Sequence, residues 1–435
     1  MSDPLQEARQ SRSRPIDPLQ SPLDVLPLRL PIWEAREGTA DRDDLGLSVA
    51  VSPDAKTVYA AGGQVDGPPL LIAYDSASGA AVWRHETTTR AAVRDIAVTR
   101  DGRAVLAALF HAPGPIQKHT LIALDAGTGD VLWTETKSDG SHYIPEFTLK
   151  LCGVLVSPDS SVAYMARSAL GPGGSDVMVE AHSVSTGTLL WSARHDGGLD
   201  ILTDLTMNPA GTMVYVTGRT GTFNEGNGID FGTVALRAED GEQIWVATYD
   251  ADGREDFARS VVVSPDGLRV AVIGQSRLTE DFGDYVILLL DAQTGGRIWL
   301  RSHNGFDIVE DSANVGVFSR DGSQLFITGS SDDNYVTLSY DVATGARRWL
   351  AIHESGGSDD PWAIATNVIS GRERVYVTGQ SATLAYDAAT GLLAWRGPLR
   401  ADVIYSMSAG DGKVFVTGRR TQAGWWDMVT SAYAG

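Results

Sequence analysis

Apolar residues in this chain come in short runs separated by turn-forming clusters. The runs are rich in β-branched and aromatic residues, as in TVYAAG at 57–62, VYVTG at 214–218, LFITG at 325–329 and VFVTG at 414–418. Between them sit Pro-Asp-Gly and Thr-Gly, the residues that tight hairpin turns require. No long stretch carries the 3.6-residue period of an amphipathic helix. The pattern predicts about four short antiparallel strands in every ~50 residues.

The runs belong to a repeat. One phrase reads AYDSASGAAVW at 73–83, LLDAQTGGRIW at 289–299 and AYDAATGLLAW at 385–395, and its copies end at Trp83, Trp133, Trp191, Trp245, Trp299, Trp349 and Trp395. A second phrase alternates with it, as in VSPDAKTVYAAG at 51–62, VSPDGLRVAVIG at 263–274 and AGDGKVFVTG at 409–418; it occurs eight times against seven. A four-stranded unit repeated at this period predicts a β-propeller, because a single sheet cannot cover both its faces without a neighbour on each side. The last copy stops at TSAYAG, 430–435, before a tryptophan is reached, and the missing half stands at the other end, in LRLPIWEARE at 28–37 with Trp33. The expectation is an all-β, eight-bladed propeller over 28–435, its last blade closed by the N-terminal strand. The alternative is seven blades, with the N-terminal match a coincidence. Residues 1–27 read as a polar, Pro-containing, disordered tail.

The A-x-D-x-x-T-G-x-x-x-W phrase resembles the tryptophan-docking repeat of the quinoprotein (pyrroloquinoline quinone, PQQ) dehydrogenase-like propellers, and the SPDG…VYVTG half resembles the SBBP-type propeller repeat. The resemblance implies that the repeat tryptophans dock between adjacent blades. It also implies, for the quinone enzymes, an adjacent cysteine pair against the cofactor and a Glu/Asn/Asp calcium site. Cys152 is the sole cysteine, so a non-quinone member is expected, without PQQ; calcium is not favoured. A membrane-assembly lipoprotein of this fold would carry a lipobox cysteine, which the chain lacks. Cys152, flanked by apolar residues, reads as an inert core thiol.

Composition narrows the partners. The formal net charge is −20, with 35 Lys and Arg against 55 Asp and Glu. That balance argues against nucleic acid and anionic membrane, which need excess cationic side chains. No apolar stretch approaches the ~18 residues of a membrane helix. The expectation is a monomeric cytoplasmic protein with a small molecule or a protein as partner.

Candidate chemistry lies where the repeat varies. The repeat aspartates Asp75, Asp125, Asp291, Asp341 and Asp387 precede turns and read as turn caps. A second acidic series stands about ten residues before each SPDG-type turn: Asp44, Asp95, Asp200, Asp256, Asp311, Asp360 and Asp402, with Glu146 the nearest residue in blade three. It suggests a ring of carboxylates at a channel mouth, or aspartates that cap their strands by accepting backbone N–H groups. Three tryptophans, Trp362, Trp425 and Trp426, fall outside the docking phrase. Trp362 aligns with Gly46, Ala258 and Ala313; one position on come Thr203, Arg259, Asn314, Ala363 and Tyr405. A mouth holding Trp362, Arg259, Asn314 and Tyr405 above the acidic series is the candidate ligand site. His195, His303 and His353 follow docking tryptophans and read as solvated strand ends. Two functions fit. One is a ligand- or protein-binding scaffold. The other is a cofactor-free enzyme of lyase, cyclase or hydrolase type, acting on a small organic substrate.

Overall fold

The computed structural model describes residues 27–38, 43–64, 67–87, 89–111, 118–138, 152–171, 174–195, 201–220, 229–251, 253, 255–277, 283–305, 311–354, 359–398, 402–422 and 424–435. The fold is an eight-bladed β-propeller: eight sheets of four antiparallel strands, with no helix among the described residues. The innermost strands of blades one to eight are Asp44–Val51, Ala92–Val98, Cys152–Val156, Ile201–Met207, Asp256–Val263, Asp311–Phe318, Pro361–Ile369 and Asp402–Gly410. In blade eight the strand Trp33–Glu37 completes the sheet, pairing with Trp425–Ala434 so that Trp33 lies opposite Ala432. The two half-phrases of the sequence thus meet in one sheet.

The chain divides into two compact units. One holds Leu30–Asp196, Ala238–Glu242 and Arg400–Gly435, and so carries blades eight, one, two and three; the other holds Met1–Arg29, Gly197–Arg237 and Gln243–Leu399, and carries blades four to seven.

Within each unit the repeat phrase explains how blade meets blade. The repeat tryptophans from Trp33 to Trp349 donate the indole N–H to a carbonyl in the turn of the following copy, as Trp83 to Ala126 O (2.9 Å), Trp191 to Ala238 O (3.0 Å), Trp245 to Ala292 O (3.1 Å) and Trp349 to Ala388 O (2.9 Å). The turn glycine is needed twice over. Gly295 has φ +70°, and a Cβ there would stand 2.8 Å from the Trp245 ring. Any side chain would therefore strain the backbone and push the docked indole out. The preceding aspartate shapes the same turn: Asp291 Oδ1 accepts from the N–H of Gln293 (3.1 Å) and Thr294 (2.9 Å).

Trp395 is covered by a different segment from the other docking tryptophans. It is fully buried. Residues before the N-terminal strand cover it: Arg29 lies 5.6 Å over its ring, and Leu28 forms a parallel bridge with Arg396. A cation over the indole face and a backbone pairing replace the glycine turn.

The sole cysteine, Cys152, lies fully buried in the core of blades two and three with Leu106, Ala108 and Val154.

Candidate functional site

The innermost strand of a blade is a sheet edge with unpaired backbone groups. The chain handles that edge with a bulge. One residue near the start of the strand is skipped in the pairing with the second strand: the register jumps between Gly46 and Ser48, Val93 and Asp95, Leu202 and Asp204, Ala258 and Ser260, Ala313 and Val315, Pro361 and Ala363, and Ile404 and Ser406. The extra residues are Leu47, Arg94, Thr203, Arg259, Asn314, Trp362 and Tyr405. A bulge re-aims its side chain away from the regular alternation of the strand.

This register corrects one alignment. Trp362 is itself the bulge residue, and Pro361, not Trp362, takes the place of Gly46, Ala258 and Ala313. The four candidates Arg259, Asn314, Trp362 and Tyr405 therefore occupy one equivalent position in four blades. Arg259, Asn314 and Trp362 come from three consecutive blades of one unit; Tyr405 belongs to the other. All four are half-buried. Asn314 Nδ2 donates to Pro361 O (2.9 Å) and Arg259 reaches Gln275 Oε1 (3.4 Å), so both are held by neighbours. Burial raises the pKa of the Tyr405 phenol.

The residue after the bulge does a structural job. In one unit, Ser406 Oγ accepts from Val49 N (3.1 Å), Ser48 Oγ from Ile96 N (3.2 Å) and Asp95 Oδ2 from Val154 N (3.1 Å). In the other, Asp204 Oδ2 accepts from Val261 N (3.0 Å). These short polar side chains satisfy the next blade's edge N–H groups. Asp95 thus belongs to this belt and not to the acidic series; Ala91 stands at the series position in blade two, its N–H donating to Gly67 O.

The remaining acidic residues stand three positions before the bulge. Asp44, Asp256 and Asp311 open their strands. In blade seven the equivalent residue is Asp359, not Asp360: its N–H donates to Asp333 O, as Asp256 N–H does to Ile229 O and Asp311 N–H to Gly283 O. Asp360 lies one position further along and its carboxylate faces Gln380 Nε2 (3.4 Å). Asp402 opens the inner strand of blade eight. Asp200 and Glu146 lie outside the described residues.

These carboxylates do not form a solvent-facing rim. Asp44, Asp256, Asp311 and Asp359 are 6, 0, 0 and 2% exposed. Two of them hold the loop that leads into their own strand: Asp256 Oδ2 accepts from Ala251 N (2.7 Å) and Asp311 Oδ2 from Gly305 N (2.6 Å). One backbone N–H does not offset the desolvation of an ionised carboxyl. Burial pushes Asp256 up to about 7, with Asp230 and Asp250 raising it further. Burial likewise lifts Asp311 to about 6.

The histidines differ from their expected setting. His303 and His353 are half-buried, edge-on to Tyr285 (5.6 Å) and Tyr335 (6.1 Å), and burial lowers the His303 pKa to about 4. The outer strand turns its last side chain onto the aromatic residue of the third strand, a contact that alternation along the strand alone does not reveal.

Repeat sheets, tryptophan docking between blades and a bulge-borne row of varied side chains define a PQQ-like repeat propeller. A family profile described as outer membrane protein assembly factor BamB matches residues 31–169, 164–350 and 332–425, and the chain belongs to that family of PQQ-like repeat propellers. No curated protein matches it. Among solved structures it is similar to BamB from Moraxella catarrhalis, at 14% identity and TM-score 0.52, over 94% of this chain and 100% of that one. It is similar to Chaetomium thermophilum Sqt1 bound to the N-terminus of the ribosomal protein L10, at 14% identity and TM-score 0.61, over 91% and 98%. The quinohemoprotein alcohol dehydrogenase from Comamonas testosteroni aligns at 13% identity and TM-score 0.59, over 98% and 79%. At these identities the likeness is one of fold. The cysteine pair that the resemblance implies for a quinone site cannot be supplied by a single buried Cys152, so the residues present do not fit that group.

Proposed function

We propose that this protein is a binding scaffold, and that its ligand, a small organic molecule or a segment of a partner protein, is read by the bulge-position side chains. One observation carries the reading. Around the bulge the inner strands repeat their geometry, while the bulge residue itself changes chemistry from blade to blade: hydroxyl at Thr203, guanidinium at Arg259, amide at Asn314, indole at Trp362. A purely structural position would repeat, as the docking tryptophans do. A row of one cation, one amide and one large aromatic suits a ligand with an anionic or carbonyl group and a flat apolar part. Propellers of similar fold that are seen with or named for protein partners, BamB and Sqt1 with the L10 N-terminus, support the scaffold class in general.

The enzymatic alternative would draw on Asp256 and Asp311, whose pKa values near neutrality suit acid–base work. Both are 0% exposed and each is engaged with its own loop, which favours binding over catalysis. The test is a thermal-shift screen of metabolite and peptide libraries, repeated on every hit with Arg259→Ala, Asn314→Ala and Trp362→Ala. Hits weakened by these changes, in variants whose ligand-free melting matches the parent, support the reading. Hits indifferent to all three overturn it.

A further inference from the structure

The geometry points to a divalent-cation site formed by Asp230, Asp250 and Asp256, separate from the bulge-position row. One carboxylate oxygen from each of the three lies within 4.8 Å of those of the other two. They come from three segments of one unit: Asp230 opens the third strand of blade four, Asp250 follows the outer strand of that blade, and Asp256 opens the inner strand of blade five. No local motif joins them, and the fragment Asp250-Ala-Asp252 misses the third partner, which stands 20 residues upstream of Asp250 in the sequence.

A cluster of acidic residues is commonplace on a protein surface, but in this one only Asp250 is exposed, with Asp230 half-buried and Asp256 fully buried. Asp256 is fully buried; the Ser276 hydroxyl is near enough to its carboxyl to lower its pKa, but Oδ1 makes no hydrogen bond of standard geometry. Asp230 Oδ1 is also buried and has no hydrogen-bond partner. Backbone groups hold the remaining parts in place: Ala251 N–H donates to Asp256 Oδ2 at 2.7 Å and Gly253 N–H to Asp250 Oδ1 at 2.5 Å. Among the described residues no lysine or arginine forms an ion pair with any of the three. A buried carboxylate oxygen without a well-formed hydrogen bond is costly to keep ionised. Two such oxygens beside a third carboxylate repel one another in a desolvated spot, and a cation relieves both penalties at once. Asp250 is exposed and Asp230 half-buried, which gives an ion a route in from solvent. The donors are all oxygen, so the matching ions are hard ones, calcium, magnesium or manganese(II), completing their shells with water.

Sister blades supply an internal comparison. The loop into blade six repeats the frame, with Gly305 N–H on Asp311 and Asp311 N–H on Gly283 O. There Asp284 stands for Asp230, but Asn304 stands for Asp250. In the loop into blade seven, Asp359 N–H meets Asp333 O, Glu354 stands for Asp250, and Asn334 stands for Asp230. Each sister has two carboxylates and an amide. Among the described residues, three carboxylates converge this way only at Asp230, Asp250 and Asp256.

The experiment is melting and calorimetric titration of the full chain with calcium, magnesium and manganese(II) chlorides, against potassium chloride at matched ionic strength. The expected result is one site per chain and a rise in melting temperature of about 2 °C or more for at least one of the three ions, since an ion that binds only the native state raises apparent stability. Asp250→Asn copies the sister blade, changes an exposed side chain and leaves the fold intact; it should lose the calorimetric site and most of the rise. Asp230→Asn should do the same. No response of the parent to any of the three ions overturns the proposal, as does a response that survives both substitutions.

Discussion

Asp256 and Asp311 open the inner strands of consecutive blades, and most of their surroundings match. Both are fully buried, both accept a backbone N–H from the loop before them, and each faces a serine across the first strand pair, Ser276 and Ser331. They differ in one neighbouring side chain. Asp250 stands by Asp256 where Asn304 stands by Asp311. The pKa of Asp256 is pushed to about 7 by burial and by Asp230 and Asp250, while Asp311 rises to about 6 by burial, with Asp332 adding to it. The repeat thus builds the same loop anchor twice, and one side-chain difference makes the copy at Asp256 a candidate ion site while the copy at Asp311 remains a strand anchor. A repeat protein can diversify in this way because each blade's frame is held by contacts that the variable residue does not touch.

The comparison assumes that both blades are held by the same dock. Trp245 and Trp299 donate to Ala292 O (3.1 Å) and Val342 O (2.9 Å), and both are buried. Trp245→Ala and Trp299→Ala should each cost about 3–5 kcal/mol, the range for truncating a large core aromatic. Chemical denaturation of the two variants checks this. A Trp245 variant as stable as the parent would show that the blades are not equivalent and would remove the basis of the comparison.

A smaller effect tests the carboxyl of blade six. The folded chain raises the Asp311 pKa from 3.8 to about 6. The native state therefore holds this proton more tightly than the unfolded chain does. Its contribution is favourable below pH ~4 and is lost as pH rises through ~6, because ionisation then takes place in a desolvated site. Asp311→Asn keeps an oxygen for Gly305 N–H and cannot ionise. It should stabilise the protein by about 1–3 kcal/mol at pH 8, leave it nearly unchanged at pH 4, and flatten that part of the stability–pH curve. Melting across pH 4–8 reads this, and a variant less stable than the parent at pH 8 would contradict it.

The smallest effect converts one region into the other. Asn304→Asp gives blade six the carboxylate that blade five has. It should lower stability by about 1 kcal/mol in chelator, from like-charge repulsion beside a half-exposed group, and add a second calorimetric site in divalent salt. A variant with no added cost and no added site would mean that the spacing at blade six does not copy that at blade five.

Much of the architecture could be read from the chain because its period is written twice, once in Thr-Gly-x-x-x-Trp and once in the SPDG turn. The glycine and the tryptophan touch across blades, Gly295 against Trp245, so both recur, and the turn aspartate recurs because it bonds its own backbone. The bulge row was half legible. Counting back from the SPDG turn puts Arg259, Asn314 and Tyr405 in one register, as the strand pairing does, but sets Trp362 one residue early. Pro361 has no glycine or alanine sister to mark its slot, and only the strand pairing with Gly379 fixes it. The same slip sets Asp360 in the place that Asp359 holds. Asp95 was misassigned because an aspartate after the bulge and one before it look alike without the register, yet one holds the next blade and the other its own loop.

The strands and turns stand in the sequence because they depend on residues a few positions apart, and the docking tryptophans and the split eighth blade because their distant partners recur at a fixed period. Whether a carboxylate faces water or the interior, and which carboxylates converge, was decided only by tertiary structure. Asp230 lies 26 residues from Asp256 in the chain, and their oxygens meet because the third strand of one blade and the inner strand of the next begin side by side. Period reports what each blade does for itself; burial and convergence depend on how neighbouring strands are laid against one another, and no spacing in the sequence records that.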